Sequence, residues 1–194
     1  MESGSVEVQK LILMQKDFQI NKDLQKEFQL FLENQGKKKN ILLNFELVPT
    51  VLAQGYWPFS ITEEESIIIP PELTQAIEAF QNFYNEKHQN RSLKWLFAQG
   101  NCSVTSNIFD KKYQFIINNY QLLIFLMFNR STKKYSVKEI HFLTQIPMEE
   151  LESCLASLNK IGILIISHNN LENSNNLNQS KVMKILHFFF NKNI

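Results

Sequence analysis

The sequence predicts an α+β fold in which a helical segment precedes a small antiparallel sheet covered by a helix, followed by a winged-helix subdomain. Three observations predict it. Apolar residues recur at helical spacing near the N-terminus, they alternate at strand spacing further on, and three helical patterns precede two strand patterns at the end. The 194 residues are 44% hydrophobic, which suffices for a core. We expect domains over residues 1–36, 37–118 and 119–194.

The composition limits the functional classes. A formal charge of +1 gives no global field that would draw the chain to nucleic acid or anionic membranes. Two cysteines, Cys102 and Cys154, cannot form a disulfide framework and are typical of buried free thiols, so we expect a reducing compartment, the cytoplasm or nucleus. The apolar run at residues 122–128 is far shorter than the ~20 residues that a membrane span needs.

Residues 1–32 are predicted to be helical. Four apolar side chains fall on one helical face: Leu24, Phe28, Phe31 and Leu32. Asn21 is a candidate N-cap within this region, and Gly36, which is followed by three lysines, is expected to end the helix.

Residues 41–52 are predicted to form a strand. Apolar and polar side chains alternate along it, which is the period of a half-buried strand, and its apolar positions are Leu43, Phe45 and Leu47. Pro49 has no N–H to give a ladder, so that part of the strand is predicted to be an edge, a bulge or a strand end.

The clearest helix is predicted to begin at Pro71, because the first helical position needs no N–H. Its apolar stripe consists of Leu73, Ala76, Ile77, Phe80, Phe83 and Tyr84. Lys87 and His88 follow in the last turn, where positive charge suits the helix dipole. Strands at residues 92–97, 102–108 and 112–117 are predicted to form a meander that this helix covers.

The last third of the chain is predicted to be a winged helix. Residues 122–129 are apolar nearly all round, as expected of a buried helix, and Ser136-Val-Lys-Glu139 has the capping-box pattern that begins a second helix. Pro147 is predicted to begin a third helix, whose buried stripe consists of Met148, Leu151, Leu155, Leu158 and Ile161. Strands at residues 163–167 and 182–190 complete the prediction.

No catalytic constellation is predicted. The four histidines and two cysteines never pair at the spacing of a zinc site, and the five glycines do not form a phosphate-binding loop. We therefore expect a chain that is not an enzyme and that holds neither a metal nor a cofactor.

Motifs in the middle of the chain are specific in combination. The turn Gly55-Tyr56-Trp57-Pro58 precedes Phe83-Tyr84, then Lys87-His88 with Arg91, Leu93 and Trp95, and finally Gln121 and Phe128-Asn129. In this order and at these spacings the residues resemble the cullins, a family that scaffolds ubiquitin ligases. The resemblance covers about residues 12–167 and implies that the first helix is the end of a cullin-type helical bundle.

The resemblance implies a partner, a small RING-box protein that adds a strand to the sheet and brings a ubiquitin-conjugating enzyme. The residues expected to pair with that strand are Leu43, Asn44, Phe45, Glu46, Leu47 and Val48. The motif residues are expected to be mainly structural: Gly55, Trp57, Pro58, Tyr84, His88, Arg91, Trp95, Gln121 and Asn129. The assembly would promote the reaction by holding the reactants close together. Neither nucleic acid nor membrane is expected as a partner.

Two other interpretations stay open. A winged helix can bind nucleic acid through its third helix, although the acidic first turns at Glu149, Glu150 and Glu152 disfavour this. A degenerate cullin fragment without function would carry the same motifs. Within these residues we expect no counterpart of the family's adaptor-binding stalk or of its last winged helix with a neddylated lysine, and Lys184 is expected to be an ordinary strand lysine. We expect a fragment, a truncated paralogue or an incomplete gene model.

Overall fold

The chain forms two compact units in a computed structural model. The structure describes residues 3–39, 43, 45–58, 66–109, 111–129, 133–168 and 181–185. The first unit comprises Met1–Glu64 and Pro71–Lys94, and the second comprises Glu65–Pro70 and Trp95–Ile194. Within the described ranges, no helix is long and apolar enough to cross a membrane. The three-domain division remains a prediction.

The core of the first unit lies between helix α1 (Ser3–Lys39) and helix α2 (Pro71–Lys87). The ring of Phe28 is fully buried and lies 5.1 Å from the ring of Phe80 and 5.4 Å from that of Phe83. Helix α2 begins at Pro71 as predicted, and its buried residues are Ala76, Ile77, Ala79, Phe80, Phe83 and Tyr84. Lys87 forms an ion pair with Glu27 of α1.

Helix α1 is longer than predicted, and Asn21 does not cap it. The helix is continuous through Gly36 to Lys39, so the predicted end is wrong. A glycine inside a helix costs only about 1 kcal/mol, and the lysines that follow are good helix formers. Asn21 lies in mid-helix with a buried side chain that binds the chain at Val51. The N-cap prediction is wrong because the Asn21 side chain bonds to the backbone of a distant segment and not to the N–H groups at a helix N-terminus.

The second unit begins with a β-hairpin of β1 (Asn101–Phe109) and β2 (Lys111–Asn118). The strands are antiparallel with Val104 opposite Phe115, which confirms two of the three predicted strands. The third, at residues 92–97, is wrong. Residues 91–96 are irregular and lead into a 3₁₀ turn at Phe97–Gln99, which is closed by a bond of 3.3 Å from the Gly100 N–H to the Phe97 carbonyl. Local turn bonds replace the expected ladder there.

A winged helix follows the hairpin, as predicted. It consists of α3 (Asn119–Asn129), β3 (Tyr135–Ser136), α4 (Val137–Thr144), α5 (Met148–Lys160), β4 (Leu164–His168) and β5 (Lys181–Ile185). The three strands form an antiparallel sheet in the order β3-β5-β4. Helix α3 is buried nearly all round, which matches its continuous apolar run. The predicted strand residues 186–190 lie outside the described residues.

The capping box at the start of α4 is confirmed. The Glu139 N–H donates to the Ser136 hydroxyl at 3.2 Å, and the Ser136 N–H donates to the Glu139 carboxylate at 2.7 Å. Helix α5 begins at Met148, one residue later than predicted, with Pro147 as its N-cap. Its buried stripe is Leu151, Cys154, Leu155 and Leu158. Met148 and Ile161 are exposed, contrary to prediction, because they lie at the two ends of the helix, beyond the part that packs on the core.

Candidate partner-binding edge

Three polar side chains on one face of α1 contact the chain segment at residues 49–53. They are Asp17, Asn21 and Gln25, which are spaced by four residues. Because a helix turns once in 3.6 residues, side chains at this spacing lie above one another on the same face. The row therefore runs along the helix and can meet an extended chain beside it.

Each residue of the row makes a hydrogen bond to the backbone of the segment. The amide of Asn21 donates from Nδ2 to the Val51 carbonyl at 2.7 Å, and its Oδ1 accepts from the Val51 N–H at 2.6 Å. Gln25 Nε2 donates to the Pro49 carbonyl at 3.0 Å, and the Ala53 N–H donates to the Asp17 carboxylate at 3.0 Å. Asn21 thus satisfies both backbone groups of one residue, as a neighbouring β-strand would.

These bonds define two edges of the segment. They fall on every second residue (Pro49, Val51 and Ala53), and backbone groups of extended chain alternate in this way between its two sides. The intervening residues Thr50 and Leu52 therefore direct their N–H and C=O groups away from α1, as does Val48, which precedes Pro49 in the same register. Among the described residues, no hydrogen bond reaches the backbone groups of these three. One edge is paired with the helix, and the opposite edge is open.

The prediction of a paired β-strand at residues 41–52 is wrong for the part that the structure describes. The predicted alternation of half-buried and exposed side chains is confirmed there. No residue of its described part, 43 and 45–52, belongs to a β-sheet. Leu43, Phe45 and Leu47 are half-buried, whereas Glu46 and Val48 are exposed. Asn44 lies outside the described residues. At residues 49–53, side chains of α1 take the bonds on one edge that a neighbouring strand would have taken.

Pro49 lies on the side of the segment that faces α1. Its carbonyl accepts the bond from Gln25, and its side chain is buried. A proline lacks an N–H, and here the missing donor would have belonged to the helix side. The open edge therefore keeps the N–H groups of Val48 and Thr50.

A groove of about 310 Å³ lies between α1 and residues 46–48, directly before the segment. Its lining residues are Gln19, Lys22, Gln25, Lys26, Gln29, Glu46, Leu47 and Val48. Amides and charges of both signs dominate this lining.

The Gly55–Pro58 turn is anchored to the same helix face. The indole N–H of Trp57 donates to the Asp17 carboxylate at 2.8 Å, and the Trp57 ring meets the ring of Phe18 edge-on at 5.4 Å. Gly55 has a φ of 114°, a left-handed conformation that favours glycine. Pro58 is exposed. Asp17 thus holds both the end of the extended segment and the turn that follows it.

A second group of motif residues closes the C-terminal end of α2. Tyr84 is buried, and its ring lies 4.6 Å from the ring of His88. The backbone N–H of His88 donates to the backbone carbonyl of Tyr84 at 2.9 Å. The Arg91 N–H donates to the His88 carbonyl at 3.3 Å, while the Arg91 side chain is exposed. These contacts end the helix and turn the chain.

The remaining motif residues lie in the second unit. Asn118 and Gln121 form a capping box at the start of α3. The Gln121 N–H donates to the Asn118 side-chain oxygen at 2.8 Å, and the Asn118 N–H donates to the Gln121 side-chain oxygen at 3.1 Å. The Gln121 amide also donates to the Ser157 hydroxyl of α5 at 3.4 Å. Trp95 is half-buried, and Asn129 is exposed at the end of α3. In the part of the chain that the structure describes, no three His, Cys, Asp or Glu residues cluster as metal ligands.

Comparison with known proteins identifies the family. A sequence profile described as the Cullin alpha+beta domain matches residues 51–192, well over half of the chain. The chain belongs to the cullin family. Among similar cullins, mouse Cullin-4A is 33% identical over 168 residues, which are 86% of this chain and 21% of the relative. Cullin-1 of Caenorhabditis elegans is 28% identical over 185 residues, 95% of this chain and 23% of the relative.

A third cullin, Cullin-3 of Dictyostelium discoideum, is 31% identical over 157 residues, 81% of this chain and 20% of the relative. The chain therefore spans about a fifth of the length of the curated cullins it matches. The profile begins at Val51, the residue that Asn21 holds.

Sequence reasoning did not find the row of α1 as part of this site. The sequence pattern indicates a helix cap at Asn21 and assigns no role to Asp17 or Gln25. The sequence does contain a signal for this row. Three hydrogen-bonding side chains recur every four residues on a helix that precedes an extended segment.

Proposed function

We propose that this cullin chain is part of the non-catalytic scaffold of a ubiquitin ligase and that it receives a β-strand from a RING-box protein. Membership of the cullin family supports the scaffold role. The open edge at Val48, Thr50 and Leu52 is the observation that supports strand addition, because unpaired N–H and C=O groups in extended chain are a template for another strand.

The RING-box protein would bring a ubiquitin-conjugating enzyme, and the scaffold would hold that enzyme near a substrate marked for degradation. Rate enhancement would then come from proximity, with no residue of this chain in the chemistry. Such an assembly belongs in the cytoplasm or the nucleus, where the two free cysteines also fit.

The open edge changes which residues are expected to pair with the partner. The family resemblance implies pairing at residues 43–48. Backbone pairing is now expected at Val48, Thr50 and Leu52, while the residues between them keep their bonds to α1.

The proposal is tested by co-expressing the chain with a RING-box protein from the same source and measuring how much partner co-purifies. Thr50→Pro removes an N–H from the open edge and is expected to reduce capture strongly. Thr50→Ala is the matched control, because it shortens the same exposed side chain but keeps the N–H, and its capture should equal that of the unmutated chain.

Equal capture by Thr50→Pro and Thr50→Ala would show that strand addition at this edge is wrong. If the unmutated chain captures no RING-box protein, the proposed function is contradicted as a whole, and a degenerate cullin fragment is the interpretation that remains.

A further inference from the structure

We propose that Asn21, supported by Asp17 and Gln25, is a positioning residue that holds the segment at residues 49–53 extended before any partner binds. In this role α1 acts as a permanent neighbour of the segment, so that the opposite edge is ready to accept a strand. The inference rests on the proposed function and adds to it the device that prepares the docking edge.

The hydrogen bonds of Asn21 fix its orientation. The side chain is 4% exposed, and its Nδ2 donates to the Asp17 carbonyl at 2.8 Å as well as to the Val51 carbonyl at 2.7 Å. A side-chain amide has two N–H donors, and both are used here. Its Oδ1 accepts from Val51, so the amide cannot flip without losing all three bonds.

The hydrogen bonds of Gln25 and Asp17 extend the contact with α1 to the whole segment at residues 49–53. Gln25 and Asp17 lie one turn to either side of Asn21 and bind Pro49 and Ala53, so the segment is held at three alternate positions. An unrestrained segment would have to become ordered when the partner strand arrives, and this ordering would weaken binding. A segment that is already extended avoids that loss.

The first experiment tests the α1 row in the free chain by amide hydrogen exchange. In the unmutated chain the N–H groups of Val51 and Ala53 are expected to be protected, and that of Thr50 to exchange rapidly. In Asn21→Leu, exchange at Val51 should rise by about tenfold or more, because its N–H loses its acceptor. Exchange at Leu24 within α1 should change little, which separates loss of position from general unfolding.

The second experiment measures affinity for a RING-box protein. Asn21→Leu is expected to bind about tenfold to a hundredfold more weakly, the range that corresponds to loss of two hydrogen bonds. Asn34→Leu is the matched control: it makes the same change at an exposed position of α1 and should bind as the unmutated chain does. Gln25→Leu, which removes only the bond to Pro49, is expected to weaken binding less.

The isosteric variant Asn21→Asp adds a pH profile that a general loss of stability would not produce. At pH 7 its carboxylate can accept from the Val51 N–H but repels the Val51 carbonyl, so binding should be weak. A protonated carboxyl can donate to that carbonyl, so affinity should rise as the pH is lowered towards 5. The facing residues 49–53 hold no titratable side chain, and Asp17 on the same face is present in the unmutated chain, which serves as reference at each pH.

The outcomes separate this inference from the proposed function. If the unmutated chain captures no RING-box protein, the proposed function fails and this inference fails with it. If capture occurs and Asn21→Leu binds as tightly as the unmutated chain, only the positioning role is overturned. Rapid exchange of the Val51 N–H in the unmutated free chain would likewise overturn the positioning role alone.

Discussion

Trp57 donates its indole N–H to the carboxylate of Asp17, forty residues earlier in the chain, at 2.8 Å. The same carboxylate oxygen accepts from the Ala53 N–H at 3.0 Å. One side chain of α1 therefore fixes both the end of the extended segment and the family's Gly-aromatic-Trp-Pro turn. Its loss would leave two donors without their acceptor.

Asp17→Ala is expected to lower the free energy of unfolding by about 1–3 kcal/mol, the range for leaving part-buried hydrogen-bond donors unsatisfied. Denaturant titration followed by circular dichroism measures the change. Asp23→Ala is the control on the same helix: its contact with Lys26 is 3.9 Å long and both side chains are mostly exposed, so a change below about 0.5 kcal/mol is expected. Equal effects of the two variants would contradict the anchoring role.

Ser136 at the start of α4 is expected to contribute measurably to stability. Ser136→Ala removes the hydroxyl that accepts from the Glu139 N–H, and loss of such a cap costs about 1 kcal/mol. Ser153→Ala makes the same change at an exposed position of α5 and should be neutral or slightly stabilising. Thermal unfolding of both variants gives the comparison. A Ser136→Ala variant as stable as Ser153→Ala would contradict the cap.

Glu139 is expected to make part of the stability depend on pH. Its pKa lies below the ordinary value because the Ser136 N–H, the Ser136 hydroxyl and the Lys133 ammonium favour the charged carboxylate. A lowered pKa contributes stability that is present above the ordinary value of 4.5 and is lost as the pH falls through the lower folded-state pKa. Glu139→Gln should flatten this acidic dependence in melts between pH 3 and 7, and an unchanged dependence in that variant would contradict the prediction.

Both cysteine thiols are expected to react slowly in the folded chain. Burial raises the pKa of Cys102 to about 11 and also raises the pKa of Cys154. Because the thiolate is the reactive form, labelling of Cys102 at pH 8 should be about a hundredfold slower than in denaturant. Cys102→Ser isolates the reaction of Cys154. Rapid labelling of both thiols in native buffer would show that the sites open readily.

The same shift predicts an alkaline effect on stability. Between pH 9 and about 11 the unfolded chain loses the Cys102 proton while the folded chain keeps it. The free energy of unfolding should therefore fall as the pH rises through this window, and Cys102→Ser should remove that contribution. Denaturant titrations at several alkaline pH values measure the difference between the two chains.

The winged helix is expected to bind duplex DNA only weakly. Helix α5 begins with the exposed acidic residues Glu149 and Glu150, which repel phosphate. Binding should stay in the non-specific range of about 10⁻⁴–10⁻⁶ M at physiological salt. Neutralising both residues with glutamine should strengthen it and steepen its salt dependence. Specific binding below micromolar by the unmutated chain would support the nucleic-acid interpretation instead.

Local signals in the sequence determined most of the fold. Pro71 and the stripe behind it set the start and buried face of α2, and the Ser136–Glu139 pair set the start of α4. The hairpin β1–β2 and the winged helix followed from alternation and helical spacing. These signals act over a few residues, since capping, turns and amphipathic faces depend on near neighbours. The family resemblance, by contrast, rested on the order and spacing of motifs such as those at Trp57 and Trp95 along much of the chain.

Only the tertiary structure decided what lies beside the extended segment. Alternating burial shows which face of an extended chain packs on the core, and it predicted the half-buried Phe45 and Leu47 correctly. Alternation contains no information about the two edges, where the backbone groups point. The neighbour at one edge is Asn21, thirty residues away, and sequence spacing cannot distinguish its amide from a helix cap. The backbone of Pro49 faces the same helix as Val51 does, so its missing N–H does not interrupt the opposite edge.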